Sequence, residues 1–173
     1  MKNHVYRTLA VPAAVLAVIV VLGAGPGAAG PPAAGSAAWE SMKSLQGDWD
    51  GVYGGKVRTK ANYRLVSNGT ALMETLVSPE SGDMVTMYHP DGNRLAMTHY
   101  CSESTQSRMR APGDEGKKIR FSFVGVTNLS SPDAMRMTGL VLTMKDRDHF
   151  DAEWTATAMG KANTGLFEFT RKK

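Results

Sequence analysis

Turn-forming residues recur at short intervals from residue 47 onward, and this spacing constrains the fold more than any other feature of the sequence. Gly, Pro, Asn, Asp and Ser cluster, for example, at "SNGT" (67–70), "HPDGN" (89–93) and "GKANTG" (160–165). The segments between such clusters span about seven to ten residues and are rich in Val, Thr, Phe, Tyr, Leu and Met. Short strands joined by regular turns are typical of a meandering antiparallel sheet or barrel.

Alternation within these segments predicts which side chains are buried. From Phe150 to Ala158 the even-numbered residues are apolar and the odd-numbered residues are polar. Ile119, Phe121 and Phe123 likewise share one face of their segment. Strands of this kind have one apolar face and one solvated face. We count about nine of them, beginning near residues 48, 58, 70, 84, 94, 118, 135, 149 and 163.

Closing these strands on themselves leaves no exposed sheet edge, so the predicted fold class is all-β, an antiparallel up-and-down barrel. One short N-terminal helix is predicted ahead of the barrel. The segment "AAWESMKSLQ" (37–46) places Trp39, Met42 and Leu45 at helical spacing, and Gly47 ends it. We expect this helix to lie across one end of the barrel.

Residues 1–38 have the pattern of a secretory signal peptide followed by a linker of small residues. Two basic residues precede an apolar run from Thr8 to Leu22 of about fifteen residues, whereas a membrane span needs roughly 20. Cleavage after Ala29 and cleavage after Ala38 both fit the small-residue zone. We therefore predict an exported protein, periplasmic or secreted, without a stable membrane span after processing. Residues 39–173 are predicted to form its single barrel domain.

The charge and cysteine content argue against a nucleic-acid-binding protein and against a fold held by internal disulfides. Of the 20 basic residues, 18 fall in the predicted mature chain, against 16 acidic ones, and the only basic block is Arg171-Lys172-Lys173. A nucleic-acid-binding role is therefore not expected, despite a pI of 9.3. The single cysteine, Cys101, cannot form an internal disulfide. About 135 residues must then fold on a hydrophobic core alone, which is enough at this size.

A Gly-x-Trp element opens the first predicted strand. Gly47-Asp48-Trp49 follows the predicted helix directly, and Arg171 ends the last strand. This arrangement resembles the lipocalins and the wider calycin barrels. The resemblance implies that Gly47, Trp49 and Arg171 close the narrow end of the barrel, because the indole plugs it and the guanidinium stacks on the indole face. We therefore expect Trp49 and Arg171 to be in contact.

A second resemblance covers residues 84–109, "MVTMYHPDGNRLAMTHYCSESTQSRM". This stretch is similar to a motif of uncharacterised exported bacterial proteins with a lipocalin-like barrel. That family tends to continue with Asn-Gln-Pro-Arg-Met, where this chain has Thr105-Gln106-Ser107-Arg108-Met109, so the Asn and the Pro are both replaced. The resemblance implies the fold rather than an activity.

This stretch contains two histidines, His89 and His99, and a predicted turn places them on different strands. "HPDGN" predicts a tight hairpin turn, because Pro presets φ and Gly accepts positive φ. His89 lies beside the turn, and His99 lies about five residues down the partner strand, toward the barrel interior. At about 3.3 Å per residue the two are on the order of 16 Å apart, too far to share a metal ion.

His99 and Cys101 are two residues apart on one strand, so they share a face with Leu95 and Met97. No third metal ligand is evident, and the histidine and cysteine lie about 6.6 Å apart, beyond direct hydrogen-bonding reach. We therefore expect neither a metal site nor a catalytic residue here, and no cofactor.

These observations favour a binding protein that holds a small apolar or amphipathic ligand inside a β-barrel. Three alternatives remain: a haem or metal-binding barrel that uses His99, an enzyme that uses His99 or Cys101, and a barrel filled by its own side chains that acts through partners. The residues predicted to line the ligand site are Tyr63, Met97, His99, Phe121, Phe123 and Trp154.

Overall fold

The computed structural model describes residues 36–173, which form one α-helix and ten antiparallel strands closed into a barrel. The predicted signal peptide and most of its linker lie outside these residues. The helix α1 is Ala37–Ser44. The strands are β1 (Gly47–Tyr53), β2 (Val57–Val66), β3 (Ala71–Ser78), β4 (Gly82–Asp91), β5 (Arg94–Tyr100), β6 (Gln106–Pro112), β7 (Lys118–Thr127), β8 (Arg136–Met144), β9 (His149–Ala158) and β10 (Lys161–Arg171).

The predicted fold class is confirmed, but the barrel has ten strands rather than about nine. The strand missing from the sequence prediction is β6, "QSRMRAP". Its inward residues are Ser107, Met109 and Ala111, which are buried, and its outward residues are a glutamine, two arginines and a proline. A strand whose buried face includes serine and alanine gives a weak alternation signal, and for that reason the segment resembled a loop.

Each strand pairs with its neighbours in sequence, and β1 pairs with β10 to close the barrel. We call one end the mouth, defined by the turns at 54–56, 79–81, 101–105, 128–135 and 159–160. The opposite end, the closed end, is defined by α1 and the turns at 67–70, 92–93, 113–117 and 145–148. Within residues 36–173, no helix combines the length and apolar character needed to cross a membrane.

Large side chains fill the closed end of the barrel. Trp49 is 2% exposed and meets Phe150 edge to face, with ring centroids 4.7 Å apart. Phe150 also stacks on Phe169 at 4.7 Å and contacts Tyr63 at 5.9 Å. These rings pack against one another and occupy the closed half of the barrel.

Arg171 joins the last strand to the helix and to the first strand. Its guanidinium carbon lies 4.1 Å from the centroid of the Trp49 ring, so the contact expected from the sequence is present. The same guanidinium donates hydrogen bonds to the carbonyl oxygens of Gln46 and Ser44, each at 2.8 Å. The carbonyls at the end of a helix lack partners within the helix, and Arg171 therefore caps α1 while it covers the indole.

The helix begins two residues before the predicted domain boundary at residue 39. The Ser36 side chain accepts a hydrogen bond from the backbone N–H of Trp39 at 3.2 Å and caps the helix. Ala38 and Met42 are fully buried against the barrel.

A register shift between β6 and β7 interrupts the alternation of β7. Arg108 pairs with Gly125 while Met109 pairs with Phe123, which leaves Val124 as an extra residue. Phe121 is 3% exposed, but Phe123 is 39% exposed. Phe123 adjoins this bulge and is therefore not buried as the sequence predicted, because a bulge disrupts the ladder locally.

Candidate ligand site at the barrel mouth

A cavity of about 250 Å³ opens at the mouth of the barrel. Its buried wall includes Leu76, His99 and Trp154, which are at most 4% exposed. Its outer rim includes Glu80 and Glu103, which are exposed. The full lining comprises Tyr53, Leu76, Ser78, Glu80, Ser81, Met84, His99, Cys101, Ser102, Glu103, Met135, Met137, Trp154, Ala156, Asn163, Gly165 and Phe167. An apolar cavity with a few polar groups is the usual form of a small-molecule site.

Aromatic rings from β1 and β10 form one side of this cavity. Tyr53 and Phe167 are directly paired across the two strands, and their ring centroids lie 4.6 Å apart. The Tyr53 ring also lies against Gly165, where an added Cβ would approach the ring to 2.5 Å. The absence of a side chain at Gly165 therefore sets where Tyr53 packs in the cavity wall.

His99 and Ser78 are the buried polar residues of the cavity wall, and His99 is the one with a titratable ring. Its ring lies 4.6 Å from the Trp154 ring, and its Nδ1 atom lies 2.9 Å from the hydroxyl of Thr86. Burial lowers the pKa of His99 to about 4, because desolvation disfavours the charged imidazolium. The imidazole is therefore neutral at physiological pH, with one nitrogen that donates and one that accepts.

The strand register connects His99 to a row of buried polar side chains that we call the polar belt. Directly paired residues on five successive strands, β2 to β6, all face inward and are at most 2% exposed. The members of the polar belt are Tyr63, Glu74, Thr86, His99 and Ser107. The belt therefore runs along the inner face of the barrel and links Tyr63, which belongs to the closed-end cluster, to His99, which lines the cavity.

Glu74 is the centre of this belt. Tyr63 donates a hydrogen bond to its Oε1 atom at 2.9 Å, and Tyr88 donates to its Oε2 atom at 2.7 Å. Burial raises the pKa of Glu74, while the hydrogen bonds from the two phenols oppose that rise. The pKa values of Tyr63 and Tyr88 are raised well above 10 by burial and by the nearby carboxyl, so both phenols keep their protons.

Sequence reasoning missed Glu74, although a signal was present. Leu72, Glu74 and Leu76 share one face of β3 by alternation, and the two leucines mark that face as the buried one. A carboxyl on an otherwise apolar face must find hydrogen-bond donors inside the protein. The sequence does not show that these donors come from β2 and β4.

The six predicted lining residues do not form one site. His99 and Trp154 lie together in the cavity wall. Tyr63, Met97 and Phe121 are buried elsewhere in the barrel core, and Phe123 is partly exposed beside the β6–β7 bulge, outside the mouth cavity. The closed half of the barrel is filled by large aromatic rings, and the cavity is confined to the mouth.

His89, His99 and Cys101 have three different environments. His89 is exposed near the turn at the closed end, with its Nδ1 atom 2.9 Å from the Pro90 carbonyl oxygen. His99 is 2% exposed and faces the interior, as the hairpin predicts. Cys101 is half-buried and lines the same cavity as His99. Residues 36–173 contain no group of three or more His, Cys, Asp or Glu side chains placed to hold a metal ion.

Comparison with known proteins shows the fold. No known family model matches the sequence, and no curated protein matches it either. Among solved structures, Rv2717c from M. tuberculosis is similar, with a TM-score of 0.58 at 13% identity over 79% of this chain and 98% of that protein. A redesigned β-barrel, b11L5F_LGL, aligns with 77% of this chain and 96% of its own at 11% identity, but its TM-score is only 0.37. The likeness to Rv2717c therefore shows a shared barrel architecture and nothing about activity.

Proposed function

We propose that this protein is an exported, lipocalin-like barrel that binds one small apolar or amphipathic molecule in the mouth cavity. The observation that carries the proposal is the combination of an apolar cavity of about 250 Å³ with one neutral, buried histidine in its wall. Drug-sized molecules occupy cavities of about 300–1,000 Å³, so the ligand is smaller than most of them. For scale, an apolar cavity of about 150 Å³ holds a benzene molecule.

His99 is the proposed polar anchor of the ligand. Thr86 engages its Nδ1 atom at 2.9 Å, and Trp154 packs on the ring. A buried imidazole held by two neighbours has a fixed orientation. It therefore contributes a hydrogen bond without losing much side-chain entropy when the ligand binds.

Native mass spectrometry of the protein isolated from its own host tests this proposal. The expected result is one small molecule retained per chain in the wild type. Retention should be lost in Ala156→Phe, because Ala156 lines the cavity and a phenyl ring would fill it. Glu153→Phe is the matched control, since Glu153 lies on the same strand, is exposed and does not line the cavity.

The outcomes of this experiment separate the alternatives. Equal retention by both variants would contradict binding at the mouth, and a wild type that retains nothing and binds no small aromatic probe would contradict a ligand-binding role. A visible absorption band, or a metal at stoichiometric amounts, would favour the haem or metal alternative that uses His99. Rapid and selective alkylation of Cys101 would favour the enzyme alternative.

Export is part of the same proposal, and the helix cap bears on where processing occurs. Cleavage after Ala38 would remove Ser36, which caps α1, and Ala38, which is fully buried. Loss of an N-cap serine alone typically costs about 1 kcal/mol. Cleavage after Ala29 would keep both residues and is the site we propose. N-terminal sequencing of the exported protein tests it, and a mature chain that begins at Trp39 would contradict it.

A further inference from the structure

Part of the outer wall of the barrel is apolar, although outward-facing residues of an antiparallel sheet are usually polar. On β3, β4 and β5 the residues that alternate away from the core include Met73, Val85, Met87 and Tyr100. The first three are half-buried, and Tyr100 is 48% exposed. These side chains belong neither to the mouth cavity nor to the aromatic cluster of the closed end, so neither feature explains their apolar character.

The strand register shows that an arginine borders this apolar wall on each side. One row across β2 to β6 consists of Arg64, Met73, Met87, Thr98 and Arg108, each directly paired with the next. Neighbouring strands lie about 4.8 Å apart, so the two arginines flank a row roughly 19 Å wide. The row therefore has a positive charge at each end and apolar or weakly polar side chains between them.

A second row lies beside the first, on the side of the mouth. It consists of Asn62, Thr75, Val85, Tyr100 and Gln106, each again directly paired with the next. We call the two rows together the outer patch. Neither row contains an acidic residue, so the only charges of the outer patch are positive.

The two arginines of the outer patch are not neutralised by acidic neighbours. Arg110, beside the patch on β6, pairs with Asp91 at 3.1 Å. Within residues 36–173, no ion pair involves Arg64 or Arg108. The Arg108 guanidinium lies instead over Gly125, where an added Cβ would approach its Nη2 atom to 3.0 Å. Both charges are therefore available to an anionic partner.

Charge is also distributed unevenly around the whole barrel. The outer faces of β2 to β6 carry six basic residues and two acidic ones, namely Arg58, Lys60, Arg64, Arg94, Arg108 and Arg110 against Asp83 and Asp91. The outer faces of β9, β10 and β1 carry five acidic residues, namely Asp151, Glu153, Glu168, Asp48 and Asp50. An anionic surface would attract the first side and repel the second, and would thereby turn the outer patch toward itself.

We propose that the outer patch docks the protein peripherally on an anionic lipid membrane. Lipid phosphates face Arg64 and Arg108, while Tyr100 and the two methionines between them enter the headgroup layer. Basic side chains around an apolar, aromatic centre are typical of surfaces that lie in a membrane interface. A tyrosine suits this position because its ring is apolar and its hydroxyl stays hydrated. This inference goes beyond the proposed function and holds whether or not the mouth cavity takes a ligand.

A second copy of the chain fits the outer patch less well than a lipid surface does. In a two-fold dimer the same patch of both copies would meet, which brings the positive flanks of the two molecules together. The patch also lies on the convex wall of the barrel. A lipid surface supplies phosphates across its full width without the matching concave shape that a folded protein partner would need.

Sedimentation with lipid vesicles tests the proposal. The wild type should bind vesicles of equimolar phosphatidylglycerol and phosphatidylcholine, should not bind phosphatidylcholine alone, and should be released by salt. Arg64→Gln/Arg108→Gln should weaken binding about 25-fold, since each basic side chain near an anionic surface contributes about fivefold. Lys161→Gln/Lys172→Gln is the matched control, because both lysines are exposed at the two ends of β10, on the acidic side. This control should bind within about threefold of the wild type, since screening confines the attraction to charges near the membrane.

Three outcomes would overturn the proposal. The first is a wild type that does not sediment with the anionic vesicles. The second is an equal loss of binding in both double variants, because the net charge rather than the outer patch would then hold the protein on the vesicle. The third is a wild-type dimer in analytical ultracentrifugation that Arg64→Gln/Arg108→Gln dissociates, which would assign the patch to a second copy.

A tryptophan placed in the outer patch reports its contact with lipid directly. Tyr100→Trp and Leu166→Trp each add one exposed indole on opposite sides of the barrel, since Leu166 is 38% exposed on β10. The three native tryptophans are buried and give both variants the same background. Brominated phosphatidylglycerol should quench the added fluorescence of Tyr100→Trp and leave that of Leu166→Trp unchanged. Equal quenching of the two, or stronger quenching at position 166, would overturn the proposal.

Discussion

Replacing His99 with glutamine should change how the stability of the barrel depends on pH. Burial lowers the pKa of His99 from 6.5 to about 4 in the folded protein. Between these two values the unfolded chain binds a proton at this side chain and the folded chain does not. Acid therefore favours the unfolded state, and the stability contributed by neutral His99 is lost as the pH falls from about 6.5 toward 4.

The magnitude follows from the gap between the two pKa values. At about 1.4 kcal/mol per pKa unit, the full window is worth on the order of 3 kcal/mol. Roughly 2 kcal/mol of this falls between pH 7 and pH 5. Glu74 acts in the opposite sense, since its pKa is raised and the folded protein binds that proton first as the pH falls. The wild type and His99→Gln both keep Glu74, so the difference between their stabilities isolates the contribution of the histidine.

Urea unfolding at pH 7 and pH 5, followed by circular dichroism, measures this difference. The wild type should lose about 2 kcal/mol more than His99→Gln over that interval. His89→Gln is the matched control, because His89 is exposed near the closed end, and it should follow the wild type. A gap between wild type and His99→Gln that is the same at both pH values would refute the reasoning. His99 would then titrate alike in the folded and unfolded chains.

Three further substitutions test the packing. Arg171→Lys should lower the free energy of unfolding by about 1–2 kcal/mol, because an ammonium group cannot stack on the indole and cap α1 at once. Gly51→Ala should cost about 1–3 kcal/mol, since its Cβ would lie 2.5 Å from the buried ring of Phe169. Gly165→Ala should displace the Tyr53 ring, because its Cβ would lie 2.5 Å from that ring, and should weaken probe binding more than folding. Urea unfolding checks the first two, and calorimetric titration with a small aromatic probe such as indole checks the third.

Gly139→Ala is the control for both glycine substitutions. An added Cβ there would approach Thr155 to 3.5 Å, which is an ordinary contact, and Gly139 does not line the cavity. The free energy of unfolding of the Gly139→Ala protein should therefore change less than that of the Gly51→Ala protein. An Arg171→Lys protein as stable as the wild type would show that the stacked guanidinium contributes little beyond its charge.

Much of the fold could be predicted because it depends on local rules. The side-chain period of a strand is two, and the turn residues interrupt it at regular intervals, so β7 and β9 are recognisable from their own residues. The hairpin around "HPDGN" placed His89 beside a turn and His99 in the interior. The strand β6 was not predicted from the sequence, because small and polar residues occupy part of its buried face. The bulge beside Phe123 could not be predicted, because only the pairing with the partner strand shows which residue is left unpaired.

What the sequence determined by itself is the all-β class, the helix ahead of the first strand and the inward direction of His99, because each follows from residues close together in the chain. Tertiary structure alone decided that Glu74, Thr86 and His99 are direct neighbours, because the register of three strands brings together residues 12 and 13 positions apart. It also decided where the cavity lies. A barrel is filled or open according to the combined volume of side chains from all its strands, and here large rings fill the closed end and leave the space beside His99 and Trp154.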